Sequence, residues 1–138
     1  MNKLLSATLA LGAVVAFAAP AYAEHFTVSL DGQSEVPPTT SSGTGSADID
    51  YDATTKQLTW KLSYSDLTGP ATAAHFHGPA DSGMNAGVEL AIPDITSDPA
   101  EGSATLTDAE AADLMAGRLY INIHTAAHPA GEIRGQVK

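Results

Sequence analysis

Gln57-Leu58-Thr59-Trp60-Lys61-Leu62-Ser63-Tyr64-Ser65 alternates without a break. Leu58, Trp60, Leu62 and Tyr64 take one side; Thr59, Lys61 and Ser63 take the other. A period of two is the mark of a half-buried β-strand, because successive side chains point to opposite faces of a sheet. The same pattern recurs on both sides of this stretch. Phe26, Val28 and Leu30 share a face over residues 25–30, and Ala47, Ile49 and Tyr51 share one over residues 46–51. Residues 72–77, 88–92, 118–124 and 131–138 read as further short strands, separated by clusters of Gly, Pro, Asp and Asn. Residues 93–102 read as a loop, with residues 103–106 leading into the one helix. Thr107-Asp108-Ala109-Glu110 is a capping box at the start of that helix, and Gly117 is its stop. Many short strands with turns between them, and no alternation with helices, predict an all-β, antiparallel sandwich or barrel with one short helix.

The N-terminus reads differently. Lys3 precedes an apolar run from Leu4 to Ala19, Pro20 breaks it, and Ala21-Tyr22-Ala23 is a small-x-small cleavage site. These features predict a secretory signal peptide over residues 1–23, a single domain over residues 24–138, and a periplasmic or secreted location. The apolar run is short for a membrane span, so no membrane insertion is expected after cleavage. There is no cysteine. Disulfides and thiolate metal sites are therefore excluded, and stability rests on packing. Sixteen Asp and Glu face six Lys and Arg, one of them Lys3 of the leader. That charge opposes nucleic acid and anionic membranes as partners and favours solubility and cations.

Four of the five histidines fall in two clusters: Ala74-His75-Phe76-His77-Gly78 and Asn122-Ile123-His124, followed by His128. On a strand, His75 and His77 share the face opposite Phe76. Leu119, Ile121 and Ile123 form the apolar face of their strand, which leaves Tyr120, Asn122 and His124 on the other. Three imidazoles thus point away from the core, and they converge if the two strands are neighbours. Neutral imidazole suits copper, zinc or nickel, and three of them with an open position suit copper or catalytic zinc. Calcium and magnesium prefer oxygen. The expected metal ligands are His75, His77, His124 and His128, with copper as the ion and zinc as the alternative. His25 lies near the expected mature end, opposite in parity to Phe26. Glu132 and Arg134, two apart on the last strand, read as an outward pair, of little energetic value if exposed. Beside the histidines, Glu132 would orient an imidazole and Arg134 would guide an anion. Asp66, Asp81 and Asn85 read as turn formers.

Four motifs carry a family resemblance. Leu30-Asp31-Gly32-Gln33-Ser34-Glu35-Val36-Pro37-Pro38 resembles the opening of a CHRD domain, the module named after chordin. Ala73-Ala74-His75-Phe76-His77-Gly78-Pro79, Leu119-Tyr120-Ile121-Asn122-Ile123-His124-Thr125 and Pro129-Ala130-Gly131-Glu132-Ile133-Arg134-Gly135-Gln136 follow in the family's order. The layout is more distantly similar to copper-zinc superoxide dismutase, which implies a Greek-key β-sandwich. By that similarity His75, His77 and His124 fall on copper ligands, and Arg134 falls on an arginine that guides superoxide. No histidine lies between His77 and His124, so the bridging and zinc-site histidines have no counterpart.

The leading expectation is an exported domain that stores, buffers or passes on copper. A copper-only dismutase-like enzyme needs the same site with redox cycling. A protein-interaction module of the chordin type, contacting an envelope or extracellular protein partner, needs no metal.

Overall fold

The computed structural model describes residues 13, 14 and 23–138. Apart from residues 13, 14 and 23, the expected signal peptide lies outside the described residues. Eight strands follow in order: β1 (Ala23–Asp31), β2 (Thr44–Asp52), β3 (Gln57–Ser65), β4 (Ala71–His77), β5 (Val88–Ile92), β6 (Ala100–Thr105), β7 (Leu119–Thr125) and β8 (Ile133–Val137). The single helix among the described residues, α1 (Asp108–Met115), stands between β6 and β7. Every pairing is antiparallel, in the order β5-β4-β7-β8-β1-β2-β3-β6. The strands form two quartets, β6-β3-β2-β1 and β5-β4-β7-β8, joined where Asp31 of β1 pairs with Arg134 of β8. The β4–β5 hairpin is inserted between β3 and β6, which pair with each other, and the chain then returns to lay β7 beside β4. These returns are Greek-key connections, and the quartets face one another as a β-sandwich.

The inner faces are those the alternation predicts. Val28 and Leu30, Ala47 to Tyr51 by twos, and Leu58, Trp60 and Leu62 are buried from the first quartet. Phe76, Leu119, Ile121, Ile123, Ile133 and Val137 are buried from the second, and all belong to one apolar cluster. Trp60 and Phe76 meet edge to face across the sandwich, with ring centroids 5.3 Å apart at 63°. This geometry is favoured by the aromatic quadrupole. Burying Phe76 completely contributes roughly 2–3 kcal/mol.

Two features bound the core. The Thr107 hydroxyl accepts from the Glu110 N–H while the Glu110 carboxylate accepts from the Thr107 N–H, and α1 buries Leu114. Gly117, at φ +70°, ends it in the left-handed region that glycine adopts without strain. Strand β6 starts at Ala100, inside the stretch expected to be loop. Ala-Glu-Gly-Ser has little intrinsic strand preference, but pairing with β3 overrides it. Gly102 stands opposite Trp60, and a Cβ there would come within 2.5 Å of the indole. The glycine that weakens the sequence signal is what admits the tryptophan.

The other face of β4, β7 and β8 is polar and roofed by two loops. Loop 78–87 is tied down where Arg134 donates to the Met84 carbonyl (2.7 Å) and Asn85 Oδ1 (3.1 Å), and Gln136 donates to the Ala80 carbonyl. Loop 32–43 joins through Asn85, which donates to the Val36 carbonyl, and through Thr39, which donates to the Glu132 carbonyl. Phe76→Ala is expected to cost about 3–5 kcal/mol, the usual toll of an aromatic deleted from a core. Urea unfolding followed by the fluorescence of Trp60, the sole tryptophan, measures it.

Candidate metal centre

Strands β4 and β7 are neighbours, with His75 opposite Asn122, His77 opposite Tyr120 and Ala73 opposite His124. The parity that buries Phe76 and Ile123 puts all three imidazoles on the polar face. One nitrogen from each of His75, His77 and His124 lies within 4.8 Å of the others. His75 Nδ1 and His124 Nε2 are 3.1 Å apart.

Backbone carbonyls select which nitrogens face inward. His77 Nδ1 is 3.0 Å from the Ala86 carbonyl oxygen, and His124 Nδ1 is 2.9 Å from that of Pro129. A carbonyl only accepts, so each Nδ1 carries the proton and each neutral ring keeps its Nε2 lone pair. His77 Nε2 is buried and has no hydrogen-bond partner. His124 Nε2 accepts from His75 Nδ1–H. The donor set is therefore His75 Nδ1, His77 Nε2 and His124 Nε2, and holding an ion requires His75 to carry its proton on Nε2. Bonds of about 2.0–2.1 Å place neighbouring ligand nitrogens roughly 3–4 Å apart. The His75–His124 pair already satisfies this, and the 4.8 Å limit on the three nitrogens leaves the rest to side-chain movement. Burial, followed by the neighbouring imidazoles, pushes the His75 pKa down. Burial also lowers that of His77, against the hydrogen bond to Ala86 that favours its charged form. Both shifts favour the neutral state a metal requires. The residues present fit a three-coordinate nitrogen site for copper or zinc.

The face of His77 is packed as well. The Tyr120 ring stacks on it, centroids 4.9 Å apart and planes within 4°. The Tyr120 hydroxyl accepts from the Ala86 N–H and donates to the Ala86 carbonyl, the same oxygen that receives His77 Nδ1–H. The Arg134 guanidinium lies 3.5 Å from the Tyr120 ring centre.

The remaining candidates have other partners. His128, in the β7–β8 loop, has Nε2 3.7 Å from Glu132 Oε1 and is not among the three whose nitrogens converge. His25 hydrogen-bonds Asp50 (2.8 Å) on the exposed side of β1 and β2. The outward reading of Glu132 and Arg134 is corrected: they are 0 % and 1 % exposed. Their parity is right, but the face they share lies beneath the two loops. The Glu132 carboxylate faces His128, not the three-histidine cluster. It accepts from Thr68 N–H and its hydroxyl, Thr125 Oγ1 and Ser41 Oγ. Burial raises its pKa, but these bonds outweigh burial and hold it below the ordinary value. Arg134 is engaged with Tyr120, Met84 and Asn85.

Glu35, Tyr120 and Asn122 were not singled out from sequence. For Tyr120 and Asn122 the signal existed, since they alternate with Ile121 and Ile123 on the side of His124. The carbonyls of Ala86 and Pro129 leave no sequence signal. Glu35 comes from the roof: its carboxyl packs on Asn122 and Gly131, where a Cβ would overlap both.

An all-β sandwich carrying three convergent histidines on its roofed polar face is the class of protein these features define. The CHRD domain family model matches residues 26–137, and the chain belongs to the CHRD family. No curated protein and no solved structure is significantly similar to it.

Glu35 generates a pH prediction. Burial pushes its carboxyl up to about 7, against the pull of Arg134 and Asn122. A pKa raised above that of the unfolded chain means the fold binds the proton more tightly, so stability falls as pH rises from about 4.5 through 7. Glu35→Gln is expected to gain on wild type by roughly 3 kcal/mol over that interval, measured by chemical denaturation at pH 4.5 and 8. Parallel pH profiles would contradict the assignment.

Proposed function

We propose that this protein is an exported copper-binding domain of the CHRD family that stores, buffers or hands on the ion. The ligands are His75 through Nδ1 and His77 and His124 through Nε2. The observation that carries the reading is the convergence of these three nitrogens, with two tautomers set by the carbonyls of Ala86 and Pro129. Donors that are all imidazole favour copper, and the same set makes zinc the alternative. Three ligands leave a position for the partner that delivers or collects the ion. Export rests on the leader-like residues 1–23, which assign the protein to the periplasm or the exterior, where an envelope or extracellular protein is its exchange partner. The dismutase reading has less support, because Arg134, which it needs to lead an anion to the metal, is buried with its N–H groups on Asn85 and Met84.

Titration of the protein with copper is expected to show one tight site. The His75→Ala, His124→Ala double variant should lose more than about 100-fold in affinity, since each change removes a ligand rather than a supporting contact. Binding indifferent to both changes would end the proposal. The pH dependence follows from the lowered values of His75 and His77. Competition with protons should begin below pH 6.5, so affinity measured from pH 8 downward stays level to that point and then declines.

A further inference from the structure

Arg134 is the one fully buried cation among the described residues, 1 % exposed. Its hydrogen bonds go to neutral acceptors, the Asn85 side-chain carbonyl and the Met84 backbone. It takes part in none of the ion pairs among the described residues. Glu35, the carboxyl that acts on it, forms no ion pair with it, and with burial pushing its pKa up to about 7 it is only partly ionised at neutral pH. A buried charge without an ion-pair partner is weakly screened and projects its field into its surroundings. Here the surroundings include the histidine cluster. Strand β7 lies between β4 and β8, so the Tyr120 ring has His77 on one side and Arg134 on the other. The guanidinium is thus stacked behind a ligand imidazole with only one aromatic ring between them.

We infer that Arg134 is a charge held behind the metal ligand His77, and that it biases the three-histidine site toward a monovalent ion, Cu(I), over Cu(II) and Zn(II). The inference rests on the copper reading above and deepens it by specifying the ion's charge. The physical reason is the charge ratio. A fixed positive charge repels a dication twice as strongly as a monocation at the same position. Across one intervening ring, at the effective dielectric of a partly buried site, that difference amounts to about tenfold in relative affinity. Three neutral imidazoles add no negative charge to offset it. Tyr120 keeps the spacing, because its hydroxyl is anchored at both polar groups of Ala86.

The test is the ratio of Cu(II) to Cu(I) affinity, measured by competition with chromophoric chelators of each oxidation state, with Zn(II) as a redox-inert dication. Arg134→Gln removes the charge. Asn85→Asp leaves Arg134 in place but supplies a counter-charge at the atom it already contacts, and residue 85 is exposed, so this variant decides the matter if Arg134→Gln does not fold. Arg134→Lys keeps the charge while losing the planar fork. The expected result is that the ratio rises about tenfold in both neutralising variants, with Zn(II) following Cu(II), and stays with wild type in Arg134→Lys. An unchanged ratio in folded Arg134→Gln or Asn85→Asp overturns the inference while copper binding by wild type stands. An equal rise in Arg134→Lys overturns it in favour of a purely spatial role. Wild type that binds no copper removes the reading beneath it as well.

Discussion

The buried carboxylate of Glu132 ties the loops of this molecule together. A carboxylate removed from water is costly unless its oxygens are filled. Here the β3–β4 turn fills them through Thr68, the β1–β2 loop through Ser41, and the end of β7 through Thr125. Hydrogen bonds to an ionised acceptor are the strong kind, and together they offset the desolvation. Glu132 also donates its N–H to the Ile123 carbonyl and accepts from Thr39 on its own carbonyl. The β7–β8 connection is thereby held in one shape, and Pro129, whose carbonyl sets the tautomer of His124, belongs to it. A surface-looking acid in the sequence is in fact the knot that fixes the loop beside the three-histidine cluster.

From this follows a division of the second quartet into two buried layers of opposite character. One is the apolar core shared with the first quartet, closed by Trp60 against Phe76. The other is polar: His77, Tyr120, Asn122, Glu132 and Arg134 lie between the sheet and its roof of loops. The apolar layer supplies stability by area. The polar layer supplies position, since each of its members is held by directed bonds or by stacking. The three histidines belong to this second layer or border it, where their ring nitrogens are directed by named partners.

Much of this was legible in advance. The period of two in β3 is complete, and its bounds agree with the alternation at both ends. The faces of β1, β2 and β7 and the capping box of α1 were likewise readable, because each depends on local periodicity or on one turn of chain. The grouping of His75, His77 and His124 followed from parity plus the single assumption that β4 and β7 are neighbours. Strand β6 was missed, its residues read as loop and as the approach to the helix, because it opens on Ala-Glu-Gly, whose strand state depends on a partner and not on its own residues. Glu132 and Arg134 were placed on the right face and given the wrong environment. Parity says which side of a sheet a residue occupies but not what covers that side.

By itself, the sequence determined the all-β class, the core faces, the helix and the three histidines that share a face, because alternation and capping are properties of neighbouring residues. The tertiary structure alone decided that the polar face is roofed, which nitrogen of each imidazole turns inward, and that Arg134 stacks behind His77 through Tyr120. Those outcomes rest on contacts that loops 32–43 and 78–87 and the β7–β8 connection make with one another and with the strands. Carbonyls such as those of Ala86 and Pro129 are common to every residue type. Only their position in space gives them a role.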